Sequence, residues 1–210
     1  MIAHALTIIV NELNHHLTET YGSNGNHAPA GLRNLCSEQR LPESGVESAT
    51  QECLNLTLVN IQQESTFRNA PLPVRESSGT LYQSDPLSLN LLILLTATHA
   101  SYSEALLMLG RAMQFFHTKS AFTEHNVSHE SLTQYAPENG LDKLGEFKFN
   151  LALHSPTVEE NHQLWATLKS ALVPSAWYKL GVLHLPTNTP KANTLPILER
   201  RMIINKDIKS

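Results

Sequence analysis

Apolar residues first recur every three or four positions at Ile2, Leu6, Ile9, Leu13 and Leu17, which predicts an amphipathic helix ending before Tyr21-Gly22. From there to about Glu47 the chain is rich in Gly, Ser, Asn and Pro with little apolar periodicity, and it reads as one long loop, 21–47, of the kind that orders against a partner. Leu54, Leu56 and Leu58 then alternate with Asn55 and Thr57, as in a strand. The apolar phase moves to Val59 and Ile61 around Asn60, where a bulge or a strand end is expected.

Between Asp85 and His99 the odd positions Leu87, Leu89, Leu91, Ile93, Leu95 and Ala97 are all apolar. The even positions are polar at both ends but carry Leu92 and Leu94 in the middle, so this strand is expected to be central and covered on both sides there. Tyr102, Ala105, Leu106, Leu109, Met113 and Phe116 share one face of a helix that follows a Ser101 or Ser103 cap and ends near His117. Phe147, Phe149, Leu151 and Leu153 alternate with Lys148, Asn150 and His154 as a further strand. Ser155-Pro156-Thr157-Val158-Glu159-Glu160 has the cap, early proline and acidic first turn of a helix start; it leads into Leu164, Trp165, Leu168 and Leu172 and is stopped by Pro174. Trp177 to Leu185 reads as a last strand, with Tyr178, Leu180 and Val182 on one face and Leu183 and Leu185 on the other.

This order of elements argues for an α+β domain over residues 1–185: a single mixed or antiparallel sheet with helices packed on it, followed by a C-terminal arm at 186–210. Leu91, Ile93, Leu106, Phe116, Trp165 and Tyr178 are the expected core. Helical spacing marks Trp165 and the Phe115-Phe116 pair as packing residues rather than a ligand box.

The length of 210 residues is enough to bury such a core without disulfides or a structural metal, and 41% hydrophobic with 16% charged residues excludes a largely disordered chain. Met1 to Val10 lacks the basic start and cleavage site of a signal peptide. The run Leu87 to Ala97 falls well short of the roughly 20 residues of a membrane-spanning helix, so assembly in the cytoplasm without a membrane partner is expected. Cys36 and Cys53 fit no metal spacing. The net charge of −4 hides an asymmetry, because residues 166–210 alone sum to +5. The arm carries Lys191, Arg200, Arg201, Lys206 and Lys209 against Glu199 and Asp207, and it lacks the interleaved aromatics on which bases stack. It is read as a docking segment for an acidic protein surface, not for nucleic acid. Lys191, Arg200, Arg201, Met202, Ile203, Ile204 and Lys206 are its candidate interface residues.

Reactive chemistry is harder to find. The sequence has no P-loop, dinucleotide turn, nucleophile elbow, helical zinc pair or EF-hand loop. Eleven histidines are the one compositional oddity, with His125 and His129 near Glu124 and Glu130, and His15 beside His16. Catalytic zinc needs three converging protein ligands, which spacing alone does not supply here. No catalytic, cofactor-binding or metal residue is assigned. A small metal-binding protein or metal-dependent hydrolase using these histidines is the alternative reading, and a nucleic-acid-associated protein with a basic tail a third.

Several separated motifs taken together resemble the cap or tail-terminator proteins of extracellular contractile injection systems, the phage-tail-like particles of bacteria. They are Asp85-Pro86-Leu87-Ser88-Leu89-Asn90-Leu91, Tyr102-Ser103-Glu104-Ala105-Leu106, Phe115-Phe116, Leu164-Trp165 and Pro174-Ser175-Ala176-Trp177-Tyr178-Lys179. The first helix and Val59-Asn60-Ile61 also stand where that family has similar elements, and the resemblance spans most of residues 1–185. Trp177 departs from it, standing where a smaller aliphatic residue is expected. The resemblance implies a non-enzymatic subunit without a cofactor. It would form a ring with itself, a hexamer, on the last layer of the inner tube protein, contact the end of the sheath protein, and leave the cell as part of the particle.

Overall fold

The structure, a computed structural model, describes residues 1–22, 30–35, 53–64, 73–76, 79–82, 87–168, 172–185 and 192–194. Helix α1 (Ile2–Tyr21) ends at Gly22, whose φ of 81° favours glycine and whose N–H bonds to the Thr18 carbonyl at 3.0 Å. Strand β1 (Ala30–Leu32) follows, then β2 (Cys53–Gln63), the short strands β3 (Pro73–Glu76) and β4 (Gly79–Tyr82), and the long β5 (Leu87–Thr98). Helix α2 (Tyr102–Thr118), β6 (Ala121–Thr123) and α3 (His129–Thr133) lead to β7 (Lys148–His154), α4 (Val158–Leu168), β8 (Ser175–Leu185) and β9 (Ala192–Thr194).

The expected α+β architecture is present. A six-stranded mixed sheet runs β1-β2-β5-β8-β7-β6, antiparallel except for the β1–β2 pair. A second sheet runs β3-β4-β9. Because β3 and β4 lie between β2 and β5 in the chain and β9 follows β8, the small sheet repeats the strand order β2-β5-β8. Part of the segment 186–210 is therefore a strand paired within the chain, Thr80 opposite Thr194 and Tyr82 opposite Ala192.

The main sheet buries both faces at its centre. On the first face α1 and α2 cover Leu54, Leu56, Leu91, Ile93, Leu95, Leu151, Tyr178 and Leu180. On the second, Leu94 and Trp177 pack with Leu35 and with Trp165 of α4. Apolar even positions at the middle of β5 thus have the cover that the pattern required. The predicted phase change in β2 is a register shift between Leu58 and Asn60.

Four local readings are corrected. Ala30–Leu32 within the 21–47 loop is a strand: Asn14 of α1 accepts from the Ala30 amide at 2.8 Å and donates to its carbonyl at 3.0 Å, fixing a tripeptide with no apolar period of its own. Leu106 is 46% exposed and Tyr102 is exposed too, because the buried face of α2 is Ala105, Leu109, Ala112 and Phe116, and Leu106 lies a quarter-turn away on its flank. Leu183 joins Tyr178 and Leu180 on the first face, since an irregularity opposite Leu89 and Leu91 shifts the alternation of β8. Leu172, expected on the buried face of α4 (Val158–Leu168), is exposed and not helical. The other expected core residues, Leu91, Ile93, Phe116, Trp165 and Tyr178, are buried.

Candidate functional site

Among the described residues the histidines do not converge. His125 lies 3.3 Å from Glu124 at the surface, and His129 opens α3 exposed. His15 pairs with Glu19 one helical turn away at 3.3 Å, while His16 stacks on Phe115 with ring centroids 4.8 Å apart. Among the described residues no group of three His, Cys, Asp or Glu side chains is placed to hold a metal ion. Three surface clefts of about 390 to 420 Å³ are lined mainly by apolar and backbone groups.

Three of the buried polar residues, His4, Asn11 and Glu12, sit on α1, where sequence reasoning saw only an apolar stripe. His4 accepts from the Leu144 amide through Nδ1 at 2.9 Å and therefore donates from Nε2 to the Leu132 carbonyl at 3.1 Å, which fixes one tautomer. Asn11 donates to the carbonyls of Ser131 and Gln134. Glu12 receives the Lys119 ammonium at 2.5 Å and the Ser128 amide at 2.8 Å, and Lys119 reaches on to the Asn126 carbonyl. Burial pushes the Glu12 carboxyl upward, but Lys119 and the Ser128 and Ser131 groups outweigh it and hold the pKa below the ordinary carboxylate range. These contacts tie the segment 119–144 to α1, and every partner is a group of the fold itself. They position structure rather than a reacting atom. The sequence signal was available: three polar residues, at 4, 11 and 12, interrupt a helix face whose other members are buried.

What faces solvent is apolar in places. Tyr102, Leu106, Leu153, Val158 and Leu172 are exposed around the end of the sheet where β5 and β7 stop and β8 begins. The two clefts at that end share this surface, one touching Leu153, Pro156 and Val158, the other Tyr102, Leu172 and Pro174. Leu153 is notable because the β6–β7 ladder covers only Lys148–Asn150. Beyond it, the Leu151 amide bonds to the Ser120 carbonyl at 2.7 Å, and on the side of β7 away from β8 no strand among the described residues runs against Ala152 to His154. The seven arm residues Lys191, Arg200, Arg201, Met202, Ile203, Ile204 and Lys206 lie outside the described residues.

Among the described residues no reactive groups gather at one point, and the chain's relatives say more. The sequence profile of the family described as the Pvc16 N-terminal domain matches residues 4–199. The chain belongs to this family. As a Pvc16 N-terminal domain it shares its fold with the sheath/tube terminator of PVC, an extracellular contractile injection system, seen by cryo-EM in the extended state: TM-score 0.53, 12% identity, 97% of this chain and 64% of that one. It is similar also to the anti-feeding prophage cap, an AFP tube terminating cap, at TM-score 0.54 and 10% identity over 92% of this chain and 59% of that one. The chain therefore spans about three-fifths of the length of these two solved chains. No curated protein sequence matches it. None of its described helices is long and apolar enough to cross a membrane.

Proposed function

We propose that this chain is a structural terminator subunit, which closes the distal end of the inner tube and sheath of a contractile injection particle and so stops polymerisation. The observation that supports it is the family match over residues 4–199, joined to a fold shared with two tube-terminating proteins. In this reading the chain works by fit and not by turnover. Its partners are further copies of itself in a six-membered ring, the inner tube protein and the sheath protein. Assembly takes place in the cytoplasm, on a particle later released from the cell. A terminator has to match the last tube layer on one side and offer no equivalent layer on the other, which closed rotational symmetry achieves.

The basic segment after β9 is the part proposed to reach neighbouring subunits or the sheath end. Since Ala192–Thr194 pairs with β4, a truncation that removes 195–210 spares that strand, whereas one that removes 186–210 takes it away. The role is tested by labelling the chain with gold in isolated particles. Label confined to one end of each particle is expected. Label spread along the shaft, or absent from particles, would sink the reading.

A further inference from the structure

Among the described residues, both edges of the six-stranded sheet are only partly paired. At one edge β1 pairs with β2 at Leu54–Leu56, and Leu58–Gln63, paired with β5 on its inner side, has no strand on its outer side among the described residues. At the other, the pairing with β6 stops at Asn150, and no strand among the described residues lies on the outer side of Ala152–His154. Sheet edges in monomers are usually blunted by Lys, Glu or Pro, yet neither open stretch contains a charged residue or a proline. Each carries one exposed branched apolar residue, Ile61 at 46% and Leu153 at 57%. Ile61 is registered with Leu91 and Leu153 with Tyr178, so both point to the face covered by α1 and α2.

We propose that the open edge of β7 in one copy pairs with the open edge of β2 in the next, with Leu153 packed across Ile61, so that the sheets run continuously from copy to copy. The inference rests on the self-assembling ring proposed above and names the surfaces that would build it. Strand direction permits it. Strands β2, β5, β8 and β7 alternate up and down, so β2 and β7 run in opposite senses, and a second copy in the same orientation brings them together antiparallel. Ile93 is level with Leu58 on one side and, through Tyr178, with Leu153 on the other. Setting Leu153 against Ile61 instead of Leu58 offsets neighbouring copies by one pleat repeat, roughly 7 Å, and a sheet that closes on itself needs such a stagger.

The backbone is prepared for the join. Leu151 directs its amide outward to Ser120, so by the two-residue alternation Leu153 directs its own amide outward as well. On β2 the Ile61 amide is met at 2.8 Å by the side-chain oxygen of the adjacent Asn60, an exposed local bond that an incoming carbonyl can replace. The contact is heterologous, since it uses two different edges, and therefore propagates until it closes a ring. A dimer made by one edge meeting its own copy would stop at two.

Thiol trapping tests this. In a full chain carrying Cys36→Ser and Cys53→Ser, Ile61→Cys and Leu153→Cys are introduced together and separately. Opposed Cα atoms of an antiparallel pair lie roughly 4.5 to 5.5 Å apart, inside the range of about 4.4 to 6.8 Å that a disulfide spans. On oxidation the double variant is expected to give a ladder of linked species ending at the closed ring. A mixture of the two single variants should stop at dimers, and either single variant alone should stay unlinked. Absence of linkage in the double variant, or dimers from Leu153→Cys alone, overturns the proposal. As a second variant, Leu153→Pro removes the outward amide without touching the bonds to β8; it should keep the native circular dichroism and lose self-association, and retained association also overturns the pairing. Failure here with gold label still at particle ends would leave the terminator reading intact and place the ring contact elsewhere. Linkage without end labelling would do the reverse.

Discussion

On the face of the sheet under α1 and α2, Ile8, Ile9, Leu91, Ile93, Leu95, Phe116, Phe122 and Phe149 belong to one continuous cluster of fully buried side chains. On the face under α4 the buried cluster is Leu35, Leu94, Trp165 and Trp177, and among the described residues Thr96 Oγ1 and Trp177 Nε1 on that face are buried without a hydrogen-bond partner; His99 Nδ1, just beyond the end of β5, is a third such atom. Each polar residue that α1 buries on the first face is bonded. The difference teaches that the fold is secured on one side of the sheet. The other side carries a small aromatic plug beside two polar atoms that no described group satisfies, and a buried group left so costs about 1 to 3 kcal/mol.

Substitutions sharpen this contrast, and the largest effect is expected on the first face. Phe116→Ala removes a ring set edge-on to Tyr178 at 5.1 Å and should lose about 4 to 5 kcal/mol in urea unfolding. Trp165→Ala on the second face should lose about 3 kcal/mol, the lower end for an emptied aromatic site, since its cluster is smaller. Equal losses would dissolve the distinction between the faces. An unfolding curve left unchanged by Trp165→Ala would show that α4 contributes no anchor at all.

Glu12→Ala comes next, at about 2 to 3 kcal/mol, because it leaves the half-buried Lys119 ammonium without its counter-charge and the Ser128 amide without its acceptor. Its pH dependence has a definite sign. A carboxyl whose folded pKa is depressed stabilises the fold above its unfolded pKa, and that contribution is lost as pH falls through the folded value. Wild-type stability should therefore fall with acid more steeply than that of Glu12→Ala, and parallel curves would contradict the assignment. The smallest effects belong to groups with nothing to lose. Trp177→Phe removes the orphaned Nε1 and should be neutral or stabilising by up to about 1 kcal/mol. Leu106→Ala, on the exposed flank of α2, should stay within about 0.5 kcal/mol.

The sequence pattern exposed what periodicity can carry and concealed what the chain acquires by contact. Helices α1, α2 and α4 and strands β2, β5, β7 and β8 are long enough for their alternation to be read, and the bulge in β2 was visible as a phase change at Asn60. Ala30-Gly31-Leu32 has no alternation, and becomes a strand because Asn14 and β2 hold it. Leu183 changed face because a register shift against β5 lies in the pairing and not in either strand alone. The candidate assembly surface was legible only in part. The alternation of Phe147 to Leu153 marked a strand, but whether Leu153 sits inside a sheet or at its edge depends on where β6 stops, which is a property of topology. Leu106 was assigned to the core for the same reason: spacing finds the side of a helix to within a quarter-turn, and the neighbouring elements decide where its border falls.

The central claim is that this chain ends a polymer, and the length distribution of inner tubes tests it most directly. Electron micrographs of particles from cells with and without the gene should show a narrow distribution when the chain is present. Without it, tubes should be longer and more variable, with sheath missing or detached at one end. Tubes of unchanged length and complete sheathing in its absence would contradict the account.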